Sequence, residues 1–273
     1  MKRKLISLSL ILMTSTFLFA DTNKTKKEIT PISEAEKKSI MEENIFELPS
    51  AGALANHLQH SLGKIDWSKF MDFRTIDLSK FSKERRALYL GAKGADAYFL
   101  AIANDAEHLN GVSKSINNTL NKIIVDKKPL GKRVGKGNLK KLEESIKAKK
   151  WANVLDRITR LKDKIALEFT EAKEHDLKIL NDVGGWLEGY RLAVEGFTRN
   201  FKAKTTDVLV QDDLINYLLQ EMKGVKSFTE KETIIKTLTN INAVLSKATK
   251  DDKLSKKQIA ELSKILANTN SIL

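Results

Sequence analysis

Gly184-Gly185-Trp186-Leu187-Glu188-Gly189, followed by Ala193 and Gly196, places repeated glycines inside a segment of otherwise helical spacing. A mid-helix glycine costs about 1 kcal/mol relative to alanine, so packing or function must offset its repeated use. At about 100° per residue, Gly185, Gly189 and Ala193 form a ridge of small side chains. Leu180, Val183, Leu187, Tyr190, Val194 and Phe197 occupy the opposite face. A helix that is small or apolar on two opposed faces is buried between neighbours. The stretch predicts a central helix over residues 173–202.

A second segment accepts the same cost. Leu88, Gly91, Ala95, Tyr98, Phe99, Ile102, Ala106 and Leu109 share a helical face, and Ala87, Gly91 and Ala95 form a four-spaced small ridge on it. Two such ridges can nest with backbones about 8 Å apart, the close end of helix packing. The sequence predicts that these two do.

Outward from this pair, three-and-four spacing recurs, and proline occurs only at 31, 49 and 129. A first helix is expected from Ser50 to Leu62, with Gly63 as its stop, then a short apolar turn from Asp66 to Phe73. Ser82 caps a helix through Ile102, with an extension towards Val125 kinked at Asn110-Gly111. Lys127 to Asn138 reads as a loop. Helices follow over 139–149, 151–171, 173–202, 207–223, 229–248 and 255–268, with Thr229 and Ser255 as N-caps. The fold class is all-α, a multi-helix bundle with a central glycine-containing buried helix, and residues 46–273 form a single helical domain.

Residues 1–20 read as an address. Lys2, Arg3 and Lys4 precede the mostly apolar run Leu5 to Phe19, and Ala20 offers a cleavage site despite the bulk of Leu18. That is the pattern of a secretory signal, with an uncleaved anchor as the alternative. With no cysteine in the chain, a lipoprotein anchor and disulfides are both excluded. Residues 21–45 read as a flexible polar tether. The expected localisation is the periplasm or outside the cell.

The formal charge is +13, or +10 without the first twenty residues. Residues 127–150 supply +8 of it, with ten basic groups and two acidic ones, while the flanking stretches are nearly balanced. Lys127, Lys128, Lys132, Arg133 and Lys136 are candidate contacts for an anionic envelope component, for a protein partner, or for a peripheral membrane surface. The segment lacks interleaved aromatics, so nucleic acid is not expected.

Tyr89-Leu90-Gly91-Ala92-Lys93-Gly94-Ala95-Asp96 together with Gly184-Gly185-Trp186-Leu187-Glu188-Gly189 resembles the paired LGxxGAD and GGWxEG motifs of an uncharacterised family of secreted all-helical bacterial proteins. The Leu48-Pro49-Ser50 lead-in is similar too, and the resemblance runs through most of the chain from about residue 47. Lys93 and Arg191 depart from a more apolar pattern. The resemblance implies fold and export and carries no activity.

Several polar residues stand out against this apolar background. Asp105 falls between Ile102 and Leu109 on an apolar face, where an acid must be paired, hydrogen-bonded or neutralised. Arg191, flanked by Leu187 and Val194, is its expected counter-charge. Glu188, Glu195 and Arg199 make a narrow polar stripe beside Trp186, and Asp96 projects away from the main apolar face towards a cap or groove. Asp96, Asp105, Trp186, Glu188 and Arg191 are thus the candidate pocket or buried polar residues.

His57 and His60 share a helix face, as do Asp105 with His108 and Glu171 with His175, but no repeated Glu-x-x-His or His-Glu-x-x-His pattern supports a metal. No Gly-x-Ser-x-Gly elbow or cysteine nucleophile is present. Gly131 to Gly137 lacks the spacing, the Ser or Thr and the preceding strand of a phosphate loop. No cofactor, metal or catalytic residue is expected. The expected function is a non-enzymatic envelope binding or accessory protein. The rivals are an envelope enzyme pairing Asp105 with Glu188 in one cleft, and an anionic-surface binder acting through 127–150.

Overall fold

Ser82 and the two glycine ridges set the frame. A computed structural model describes residues 57–271 apart from His60 and Thr75, all within the unit Glu47–Leu273. The expected signal segment, tether and beginning of the first helix lie outside the described residues. Residues 57–59 and 61–62 are helical, and Gly63, at φ +77°, ends the turn by donating its N–H to Gln59. Trp67–Phe70 is a short 3₁₀ turn.

Helix α1 (Lys83–Ile102) starts where Ser82 accepts a hydrogen bond from the Arg85 N–H. It does not run on to Val125. Asn104 adopts φ +59°, its N–H bonds the Ala101 carbonyl, and the Asp105 N–H bonds the Leu100 carbonyl. That is a Schellman stop with asparagine in the left-handed position. Asp105 then caps α2 (Ala106–Lys122) through the His108 N–H. The break thus falls at Asn104-Asp105, and Asn110-Gly111 lies inside α2.

The expected loop over Lys127–Asn138 is also ordered. β1 (Ile124–Val125) pairs antiparallel with β2 (Lys128–Pro129) across Asp126 and Lys127, both at positive φ. A two-residue turn of that kind matches the twist of a hairpin. Then come α3 (Leu130–Val134) and α4 (Lys136–Lys147). Leu130, Val134, Leu139, Leu142 and Ile146 are buried, and this apolar spacing outweighs the surrounding lysines.

The remaining helices lie close to their expected places. They are α5 (Trp151–Glu171), α6 (His175–Arg199), α7 (Asp212–Gly224), α8 (Lys231–Leu245) and α9 (Lys256–Ala267). Ser255 forms a capping box with Gln258. Thr229 is exposed and caps nothing; Glu230 holds that position. The molecule is an all-α multi-helix bundle with α6 at its centre, its Leu180, Val183, Leu187, Tyr190, Val194 and Phe197 all fully or almost fully buried. Helices α1, α5, α7 and α9 all pack on α6.

Helices α1 and α6 form the most extensive pairing. Lys83 meets Glu174, Leu88 meets Gly184, and Asp96 meets Glu188, so the two run parallel. Their closest approach is backbone to backbone. A Cβ on Gly91 would overlap the Asn181 carbonyl, and one on Gly184 would overlap the Leu88 carbonyl. A Cβ on Gly185 would lie 3.3 Å from the Gly91 oxygen, a looser fit. The tightest contacts therefore fall at Gly91, on the α1 ridge, and at Gly184, one position off the expected α6 ridge.

Gly94 is different, because a Cβ there would meet nothing within 4 Å. Gly91→Ala should lose about 3 kcal/mol or more through overpacking against backbone. Gly94→Ala should gain up to about 1 kcal/mol from helix propensity. Thermal melts of both variants check this, and equal shifts would contradict the packing described.

Candidate functional site

The two sides of α1 carry different chemistry. By the helical repeat, Tyr89, Lys93 and Asp96 share one side, while Gly91, Gly94, Ala95 and Tyr98 share the other.

On the first side lies a sealed set of four charges. Lys93 Nζ donates to Asp96 Oδ2 at 2.6 Å. Arg191 clamps Glu188 with two hydrogen bonds, Nε to Oε2 at 2.8 Å and Nη2 to Oε1 at 2.5 Å. Asp96 is 1% exposed, Glu188 6% and Arg191 8%. The segment around Trp67–Phe70 closes over them. The Phe70 carbonyl accepts from Arg191 at 2.8 Å, and the Asp72 carbonyl accepts from Lys93 at 3.1 Å. Trp67 anchors this strap edge-on against Phe99, in a slot where a Cβ on Gly196 would lie 2.9 Å from the indole.

Asp96 and Glu188 are neighbours, and as two carboxylates they leave Asp96 Oδ1 buried with no donor. Protonating Asp96 removes the deficit, because a carboxylic acid donates to a carboxylate. Burial, reinforced by the Glu188 charge, pushes the Asp96 carboxyl up to about 7. Burial would raise Glu188 as well, but the Arg191 guanidinium outweighs it and holds Glu188 below the usual carboxylate range. Two carboxylates one hydrogen bond apart thus divide into an acid and its ionised acceptor.

On the second side, α1, α2, α4, α5 and α6 enclose a partly open cavity of about 80 Å³. Gly91, Gly94, Gly185 and Gly189 contribute bare backbone to its wall, and Leu90, Ile116, Leu142, Ile158, Leu161 and Ile165 make it apolar. Trp186 lines it too, stacked on Tyr190 at 4.7 Å and donating Nε1–H to Gln211 Oε1 at 3.0 Å. Gly189, on the expected small ridge, is among the residues that line this space.

Of the sequence-selected residues, the fold brings Asp96, Glu188 and Arg191 together and puts Trp186 in the cavity wall. Asp105 is not among them. It is a half-buried N-cap hydrogen-bonded to the His108 backbone N–H and to its ring Nδ1 at 2.7 Å, so the pairing of Asp105 with Arg191 or Glu188 is replaced by capping. Glu195 accepts from Ser263, and the Arg199 guanidinium lies 4.6 Å over the Phe70 ring.

His57 is exposed, and His60 lies outside the described residues. Glu171 faces Arg133 at 4.0 Å. Among the described residues no cluster of three metal-ligating side chains occurs. Lys127, Lys128, Lys132 and Lys136 are exposed, but Arg133 is not free for a partner: it donates to Glu168 at 2.7 Å and to Asp126 at 3.2 Å.

The residues that sequence reasoning missed are Lys162, Asn181 and Gln211, which line the cavity from separate helices and loops. Their only sequence signal is a polar side chain beside an apolar face. Comparison of the chain with models of protein families, with curated proteins and with solved structures finds no match.

The charge set has a pH signature. Below about pH 4, Asp96 is protonated whether the chain is folded or not, and the contribution of its raised pKa is fully present. It fades as pH rises through about 7, because the folded state then gives up a proton the unfolded chain has already lost. Between pH 5 and 8 the loss should be on the order of 2 kcal/mol, several degrees of melting temperature. Asp96→Asn, which keeps a donor towards Glu188, should flatten that slope. An unchanged slope in the variant would contradict a shared proton.

Proposed function

We propose that the protein is an exported, non-enzymatic binding protein of the bacterial cell envelope, taking a small apolar group into the cavity between α1, α2, α4, α5 and α6. One observation carries this reading. Gly94 accepts the helix cost of glycine although no atom lies within 4 Å of where its Cβ would be. Gly91 and Gly184 are glycine because backbone occupies the space; Gly94 leaves space that none of the described residues fills. An apolar lining with a few converging polar groups is the usual composition of a ligand site.

An envelope enzyme using paired carboxylates finds less support. Asp182 is the one acid lining the cavity among the described residues, and it pairs with Lys178 at 3.1 Å. Asp96 and Glu188 face the other side of the helix pair. The basic segment supports a second contact, with an anionic envelope surface, through the exposed Lys127, Lys128, Lys132 and Lys136.

Xenon tests the cavity directly, since dry apolar cavities of about 150 Å³ admit it, and 80 Å³ is still roomy for a single atom. Xenon NMR of the protein should report one saturable site that disappears in Gly94→Leu while the fold, followed by circular dichroism, persists. No xenon site in the parent protein would refute the binding reading.

A further inference from the structure

Most polar groups around the cavity already have partners. Tyr98 OH is bonded to Thr159 Oγ1, Gln211 accepts from Trp186 and donates to the Val208 carbonyl, and Asp182 holds Lys178. Two groups differ. Lys162, half-buried on α5, lines the cavity and makes no ion pair among the described residues, whereas Asp182 in the same wall is held by Lys178. Asn181 presents a buried Oδ1 that has no hydrogen-bond partner. An unmet buried polar atom costs about 1–3 kcal/mol, and a turn of the Asn181 amide towards the cavity would let an occupant meet it.

We infer that the cavity holds the end of an aliphatic chain whose anionic, carboxylate-type head is received by Lys162 and Asn181. The inference rests on the binding reading above and specifies its ligand. The lining sets the chain: Leu90, Ile116, Leu142, Ile158, Leu161 and Ile165 offer dispersion contacts without a charge. At about 80 Å³, the cavity has about half the volume of one that accepts benzene, which favours a narrow chain end over a ring. Lys162 sets the sign of the head, since a cation beside an apolar cavity attracts a carboxylate and repels an ammonium. Asn181 suits either state of the head: turned one way its amide accepts from a hydroxyl or protonated head, turned the other it donates to an ionised one.

Calorimetric titration of the protein with hexanoate, hexanol and hexylamine separates these contributions. Hexanoate should bind about tenfold more tightly than hexanol, and hexylamine least. Lys162→Gln should remove the advantage of hexanoate and leave hexanol unchanged, Asn181→Ala should weaken both, and Gly94→Leu should abolish all binding. Thermal melts alongside establish that each variant is folded. Hexanol or hexylamine binding as well as hexanoate, or hexanoate unaffected by Lys162→Gln, would overturn the assignment of the head group even where xenon still enters. Loss of xenon binding as well would instead remove the cavity reading beneath it.

An excess of phosphatidylglycerol vesicles should leave hexanoate binding unchanged, because the acyl chains of that lipid are esterified and offer Lys162 no carboxylate. Displacement of hexanoate by the vesicles would overturn the carboxylate head.

Discussion

Two carbonyl oxygens lying over two glycines hold this molecule in register. The Asn181 carbonyl sits where a side chain on Gly91 would be, and the Leu88 carbonyl sits where one on Gly184 would be. Such reciprocal contacts place glycine α-hydrogens against carbonyl oxygens, each weak but recurring at close helix crossings. Their geometric effect matters more than their energy. With α1 and α6 locked parallel at this point, neither helix can rotate without driving backbone into backbone. Helices α2, α5, α7 and α9 then pack on a pair whose faces are already assigned, and α3, α4 and α8 pack on those.

That locking explains how one helix pair supports opposite environments. On one side Lys93, Asp96, Glu188 and Arg191 are withdrawn from water, an arrangement that hydrophobic residues of similar volume would often match or better in stability. It is tolerated here because nearly every donor and acceptor is met, including by two main-chain carbonyls of the strap at Phe70 and Asp72. The charges in turn hold that strap against α1 and α6, with Trp67 seated on Gly196. On the other side the same helices separate beyond the glycine contact and leave the apolar cavity.

Much of this was legible in the sequence. Two-faced apolar character marked α6 as central, and a small ridge marked α1 as its partner, because both follow from helical periodicity alone. Periodicity could not choose among the glycines. Gly184 lay off the ridge drawn through Gly185 and Gly189, yet it makes the tight contact, since which glycine faces a carbonyl depends on the rotation and stagger of the pair. Asp105 misled for a different reason. A continuous helix puts it among apolar residues, whereas Asn104 in the left-handed region ends α1 and turns Asp105 into a cap.

The same chemistry hid other boundaries. Lys149 and Lys173 also stand at positive φ at helix ends, where glycine would have signalled a stop. The run at 127–138 looked like a loop because its charge obscured the buried spacing of Leu130 and Val134. The acid pair was half visible: Asp96 and Glu188 were each singled out, but nothing local in sequence joins residues 92 positions apart.

If α1 and α6 are the part on which the rest is built, their amides open only when the whole molecule unfolds. Native-state hydrogen exchange measures this residue by residue. Amides from Leu88 to Ile102 and from Val183 to Phe197 should be the last to exchange, with a common free energy equal to that of global unfolding. Earlier exchange there than in α7, α8 and α9 would show that the glycine contact is a consequence of the fold and not its foundation.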